Sequence, residues 1–292
     1  MSPWISAARP RTLPLALSCI LMGSFLAAYA GKFNWIIFGL ACLTTILLQV
    51  LSNFANDYGD TQNGADSSER VGPSRAVQTG EITSTSMFKA IVGFGILSLA
   101  SGITLLYYAF KSGDSSLFLG FLGLGLLCIL AAYTYTAGKK PYGYAGLGDI
   151  SVLLFFGLVG VLGSNFLFTK SFDIYNILPA LSCGLLATGV LNLNNIRDIK
   201  SDIAAGKMTI PARMGREKGL VYHSFLLGLA LILILTFVIL KGDISFWFLI
   251  SFPLFAFNVI RANKLPNPDP LLKQLALSTL FFVLLFGVSV LF

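Results

Sequence analysis

Charge is scarce in this chain. Only 11% of its 292 residues are Asp, Glu, Lys or Arg, against about 25% in an ordinary soluble domain. Long polar stretches are missing too. The net charge of +7 therefore has no soluble domain to carry it, and a nucleic-acid patch is excluded. The ten-residue alternating segments that a membrane β-barrel needs are absent. There is one histidine, His223, and without a partner in the sequence it reads as structural. Cys19, Cys42, Cys128 and Cys183 all lie in apolar runs at spacings that match no metal motif, so they read as small hydrophobes.

The apolar runs themselves are abundant. Charge-free stretches cover 12–31, 33–56, 90–110, 115–138, 150–169, 174–196, 219–240, 244–260 and 274–292. Each is close to the ~20 residues that cross a hydrocarbon core. They predict an all-α integral membrane protein with nine transmembrane helices around a central cavity, in contact with membrane lipid. Residues 1–292 then form a single transmembrane domain. The loops alternate in character. The N-terminus, 57–89, 139–149, 197–218 and 261–273 hold sixteen Lys and Arg, and the opposite loops hold four. The basic side is cytoplasmic by the positive-inside rule. This places the N-terminus inside and the C-terminus outside.

The acids are few and clustered. Of thirteen, five (Asp57, Asp60, Asp66, Glu69 and Glu81) follow the second apolar run within 25 residues. Gly59, Gly64, Gly72, Pro73 and Gly80 break up that stretch into a loop. Arg70 and Arg75 follow the acids. A second cluster, Asn194-Asn195-Ile-Arg-Asp198-Ile-Lys-Ser-Asp202, follows the sixth run, with Lys207, Arg213, Arg216 and Lys218 beyond it. Asp198 and Asp202 are four apart, and on a continued helix both face one side. Asn56-x-x-x-Asp60 and Asn194-x-x-x-Asp198 each close a run, four helices apart. That spacing predicts parallel half-repeats, helices 1–4 and 5–8, whose two Asp-rich cytoplasmic loops face each other.

Between the clusters lie four tyrosines in twelve residues, from Tyr133 to Tyr144, beside Lys139 and Lys140. That exceeds what an interfacial belt needs. Gly120, Gly123 and Gly125, and later Gly157, Gly160 and Gly163, predict close helix packing.

Mg²⁺ prefers a few carboxylates completed by water and substrate phosphates. Two acidic clusters at one cavity mouth, flanked by Arg and Lys, fit a diphosphate bridged by Mg²⁺. An apolar bundle below accepts a hydrocarbon tail, and aromatic faces stabilise a cation. The residues by themselves thus point to an intramembrane enzyme acting on a lipid diphosphate.

The two clusters resemble those of the UbiA-type intramembrane prenyltransferase superfamily. Asn53-Phe-Ala-Asn56-Asp57-Tyr-Gly-Asp60, Gly64-Ala-Asp66, Gly143-Tyr-Ala-Gly-Leu-Gly-Asp149 and Leu193-Asn194-Asn195-Ile-Arg197-Asp198 resemble its branch acting on 1,4-dihydroxy-2-naphthoate in bacterial menaquinone synthesis. Arg9-Pro-Arg-Thr-Leu-Pro and Thr134-Tyr135 extend the likeness over most of 9–218. The superfamily's first motif often has an acid four after Asp60. Here that position is Gly64 and the next acid is Asp66, a departure that fits the naphthoate branch.

The resemblance implies a set of roles. Mg²⁺ is held by Asp60, Asp66, Asp198 and Asp202, with Asn56 and Asn194 in support, and Asp57 binds metal or orients the acceptor. Arg70, Arg75, Lys139 and Lys207 neutralise the polyprenyl diphosphate. Tyr135, Tyr142 and Asp149 lie by the carbocation and acceptor. The implied reaction joins the polyprenyl group to 1,4-dihydroxy-2-naphthoate with loss of CO2 and diphosphate, giving demethylmenaquinone. The implied location is the bacterial inner membrane, with the active site open to the cytoplasm.

Rival readings are another aromatic acceptor, 4-hydroxybenzoate or homogentisate, and a cation-coupled transporter. A transporter calls for ionisable groups at the bilayer midplane, whereas here every acid sits at a loop or helix end. A CDP-alcohol phosphotransferase needs an Asp-Gly pair, and none occurs.

Overall fold

The computed structural model describes residues 2–64, 72–111 and 113–292. Every regular element among them is helical. A short α1 (Pro3–Ala8) and a 3-10 turn (Pro10–Thr12) lead into α2 (Leu13–Tyr29), α3 (Trp35–Gln62), α4 (Ser84–Ala109) and α5 (Ser115–Thr134). A composite span follows: α6 (Gly148–Val152), a π-helical stretch (Leu153–Gly163) and α7 (Ser164–Thr169). The chain closes with α8 (Ile177–Arg197), α9 (Ile199–Ala204), α10 (Ile210–Lys241), α11 (Phe252–Lys264) and α12 (Asp269–Leu291).

Eight helical segments among the described residues are long and apolar enough to cross a membrane. The chain is a multi-pass membrane protein. Stretch 244–260, read above as a crossing of its own, is built differently. A 3-10 turn (Trp247–Ser251) precedes α11, which has 13 residues. At 1.5 Å per residue α11 rises roughly 20 Å, and the 3-10 turn joined to it adds roughly 10 Å, so the two together come close to a ~30 Å hydrocarbon core. Asn258, Arg261, Asn263 and Lys264 make its second half polar.

The helix starts follow from capping side chains. Asn34 accepts the amides of Ile36 and Ile37, Thr83 that of Ser86, Asp114 that of Leu117, and Thr209 that of Ala212. The end of α3 departs from the sequence reading. The loop expected from residue 57 begins only after Gln62, so Asp57 and Asp60 ride on the last turns of a 28-residue helix. Those turns hold because their polar groups find partners. Asn53 Nδ2 donates to Ala8 O at 2.9 Å, and Thr61 Oγ1 donates to Asp57 O at 2.8 Å.

The packing is uneven. One core joins α2, α8, α10, α11 and α12 around Phe237, Phe248, Phe255, Phe282 and Phe286. In contrast, α5 has no buried residue. Gly120, Gly123 and Gly125 were expected to pack helices together, yet a side chain started at any of them would meet nothing within 4 Å. They lie on an uncrowded helix, and Gly125 lines a cavity. Gly157 does make a close crossing: a Cβ there would lie 2.8 Å from Ala180 O and 3.1 Å from Gly184 Cα.

Candidate active site

Asp57 and Asp60 leave the end of α3 in different directions. Asp57 is 1% exposed. Its Oδ2 accepts the Ala76 amide at 3.2 Å and its Oδ1 the Val77 amide at 3.1 Å, so it holds the returning chain before α4. Asp60 is 3% exposed and faces cations. Arg75 Nη2 donates to its Oδ2 at 3.2 Å, Tyr144 Oη donates to its Oδ1 at 3.0 Å, and Lys207 Nζ lies 3.6 Å from Oδ1. The end of α3 is pressed against residues 136–137, where a Cβ on Gly59 would lie 2.5 Å from Thr136 C. Thr136 Oγ1 donates to Ala55 O and to Asn56 Oδ1, both at 3.1 Å.

The second cluster sits on a break in the chain. The helix does not continue from α8 through Asp198, whose φ/ψ of −98°/12° ends α8 before α9 resumes. Asp198 is gripped by Arg197, with Nε to Oδ1 at 2.8 Å and Nη2 to Oδ2 at 2.6 Å. Arg197 also donates to Asn194 Oδ1 at 2.8 Å and, through Nη1, to Asp269 at the start of α12. Arg11 Nη1 lies 3.8 Å from the other oxygen of Asp269. The contacts of Asp202 among the described residues are longer: Lys207 Nζ lies 3.8 Å from its Oδ1, and Thr209 Oγ1 donates to Oδ2 at 3.5 Å.

The two clusters thus meet at one point. Lys207 Nζ stands between Asp60 and Asp202, over the Tyr144 ring at 5.4 Å from its centroid. Tyr144 ties both sides together, because its carbonyl accepts the Met208 amide at 3.0 Å while its hydroxyl reaches Asp60.

Beside this junction opens a cavity of about 390 Å³, lined mainly by apolar side chains of α2 to α5 and the π-helical stretch. Its lining follows α3 from Ala41 to Asn56, a rise of roughly 22 Å. Asn56, Tyr135 and Tyr142 line it, as do Leu106, Phe121 and Leu167. The Tyr135 and Tyr142 rings meet edge to face, 5.3 Å apart and at 75°. Gly143 and Gly148 close on Tyr135: a Cβ on the first would lie 3.0 Å from its ring, on the second 2.7 Å from its hydroxyl. Burial pushes the Tyr135 phenol well above its ordinary pKa, and the charges of Asp60 and Asp149 push it further. It therefore stays a neutral hydroxyl at any working pH. Tyr142 is also raised by burial, and its hydroxyl donates to Ala131 O at 2.9 Å.

The donor set bears directly on a divalent ion. Among the described residues no three His, Cys, Asp or Glu side chains converge. Two carboxylates from different elements do face one cation, the Lys207 ammonium. One or two carboxylates with open positions are what Mg²⁺ takes when phosphates and water complete its shell. The residues present fit that ion.

Of the residues singled out from the sequence, Asp60, Asp202, Arg75 and Lys207 meet at the junction, and Asn56, Tyr135 and Tyr142 line the cavity. Arg197 ties Asp198 and Asn194 to each other and to Asp269. Asp149 is buried, and its Oδ2 accepts the Tyr222 hydroxyl at 3.1 Å. Lys139 is exposed. Asp66 and Arg70 lie outside the described residues. Sequence reasoning gave no role to Arg197 or Asp269, and took Tyr144 only as one of four clustered tyrosines. Tyr144 stood within a quoted motif. Asp269, by contrast, is 72 positions from Arg197 and carried no signal.

Known proteins resemble the chain in sequence and in fold. The model of the UbiA prenyltransferase family matches residues 16–290. A 1,4-dihydroxy-2-naphthoate octaprenyltransferase of Haemophilus influenzae is 46% identical over 99% of this chain and 95% of its own. The protein of that name in Escherichia coli is 43% identical over 98% and 94%. Among solved structures, a UbiA homolog from Archaeoglobus fulgidus bound to GPP and Mg²⁺ shares the fold with a TM-score of 0.64, at 19% identity over 99% of both chains. The chain is a member of the UbiA prenyltransferase family.

Proposed function

We propose that this protein transfers a polyprenyl group from a polyprenyl diphosphate to 1,4-dihydroxy-2-naphthoate, with loss of CO2 and diphosphate. The observation that carries this reading is the meeting of Asp60 and Asp202 beside a tall apolar cavity. The relatives of that activity, matched over nearly the whole chain, support the choice of acceptor.

Asp60 and Asp202 would hold Mg²⁺, with Asp66, Asp198, Asn56 and Asn194 completing or supporting the set. Bound there, Mg²⁺ supplies charge stabilisation for the departing diphosphate. Arg75 and Lys207 already stand at the carboxylates and present positive charge to the same leaving group. The cavity walls receive the prenyl tail and exclude water from the allylic cation. Tyr135 and Tyr142 present neutral ring faces to that cation. Asp149, whose charge acts on Tyr135 and whose Oδ2 accepts the Tyr222 hydroxyl, would orient the acceptor hydroxyls.

The prenyl C–O bond breaks as diphosphate leaves. The electron-rich ring forms the new C–C bond, and the carboxylate departs as CO2. No electrons are lost, so the immediate product is the hydroquinone form of demethylmenaquinone. The active site opens to the cytoplasm of a bacterial inner membrane, with the N-terminus inside, as the charge of the loops supports.

The test uses the full chain in detergent with Mg²⁺, a polyprenyl diphosphate and 1,4-dihydroxy-2-naphthoate, following lipid product and CO2. Equal amounts of both, abolished by EDTA, are the expected result. Product formed with 4-hydroxybenzoate in its place would overturn the acceptor. No product with any acceptor, from folded protein, would overturn the reaction.

A further inference from the structure

Lys207 occupies a demanding place for a lysine. It is 8% exposed, and its ammonium stands between carboxylates of two separate elements. Burial without such partners would strip its charge. Its backbone is fixed, since the Lys207 amide donates to Asp202 O at 2.7 Å and the next amide donates to Tyr144 O. The four-carbon stem beyond that root carries rotatable bonds, so the ammonium can be re-aimed without moving the backbone. The ammonium thus fills the point where the reading above places Mg²⁺, and two cations cannot share it without strong repulsion.

We propose that Lys207 is a built-in counter-ion, which holds Asp60 and Asp202 together in the substrate-free protein and moves onto the diphosphate when metal and diphosphate arrive. The inference rests on the prenyltransferase reading. Charge balance gives it direction. Among the described residues, Asp60 and Asp202 are matched by Arg75 and Lys207. A divalent ion entering alone adds positive charge with no new anion. The same ion entering with a diphosphate brings its own anions, and these take up the displaced ammonium. Metal and diphosphate therefore bind as a unit, and metal alone binds weakly.

Mn²⁺ binding to the full chain in detergent, read from loss of the free-ion EPR signal without diphosphate, tests this. Lys207→Gln is expected to bind Mn²⁺ at least about tenfold tighter than the unaltered protein, and Lys207→Arg no tighter. Equal or weaker binding by Lys207→Gln overturns the proposal. If Lys207→Gln does not fold, thermal unfolding of the unaltered protein decides. Stabilisation by Mg²⁺ with inorganic diphosphate, but not by Mg²⁺ alone, supports the counter-ion. Equal stabilisation by Mg²⁺ alone overturns it. No stabilisation by either, together with no Mn²⁺ binding to any variant, overturns the prenyltransferase reading itself.

Discussion

The two acidic clusters divide their work in the same way by different means. In each, one carboxylate is committed to holding the protein and the other faces the shared junction. On α3 the committed acid is Asp57, whose oxygens take two backbone amides, and Asp60 faces Arg75, Tyr144 and Lys207. At the break between α8 and α9 the committed acid is Asp198, in short two-point contact with Arg197, and Asp202 faces Lys207 through longer contacts. Short paired bonds to a guanidinium are strong and specific. Contacts of 3.5–3.8 Å exchange more readily. Under the proposed reading, charge alone does not mark a working acid: what marks it is whether its partners are fixed by the fold or can be replaced.

The comparison breaks first at the facing acids. Asp60→Asn and Asp202→Asn are each expected to lower turnover about a hundredfold to a thousandfold, the cost of losing one group that stabilises developing charge. Steady-state kinetics at saturating substrate checks this, and a loss under tenfold in either would undo the division. Asp198→Asn attacks the committed acid instead. It leaves a buried Arg197 short of a partner, and breaking such a pair costs about 3–5 kcal/mol. A marked fall in melting temperature is expected, larger than for Asp202→Asn; equal melting temperatures would contradict it.

Gly59→Ala sharpens the picture for α3. The added methyl would sit 2.5 Å from backbone at Thr136, so the acid-bearing turns must shift. Overpacking of this kind costs about 1–3 kcal/mol, and melting temperature and turnover are expected to fall together. Stability unchanged with full activity would show that the approach does not matter. Tyr144→Phe is the mildest. It removes one hydrogen bond to Asp60, worth about 1.5 kcal/mol for a charged acceptor. Roughly a tenfold loss of turnover with little change in melting temperature is expected, and unchanged turnover would remove Tyr144 from the site.

Much of this was legible in the sequence because its signals are local. Charge-free runs of membrane length mark the spans, and acids grouped at their ends mark the clusters. The partners of those acids were not local. Which acid of the second cluster meets Asp60 depends on the break at Asp198, since a continuous helix would have turned both carboxylates the same way. Arg197 reaches Asp269 on the last helix, a region whose sequence offered little beyond hydropathy. Gly59 needs to be small because of a neighbour 77 positions away. The glycines of α5 misled for the complementary reason: small residues permit a close approach without requiring one, and there no helix arrives.

The central claim is that Asp60 and Asp202, one from each cluster, act as a single cation site. A double-mutant cycle tests it most directly, with turnover measured for Asp60→Asn, Asp202→Asn and the pair. Groups acting as a unit are strongly non-additive. The account predicts that the double variant is slowed no more than about threefold beyond the worse single variant. A double variant slowed by the product of the two single effects would show that the acids work independently, and would contradict the shared site.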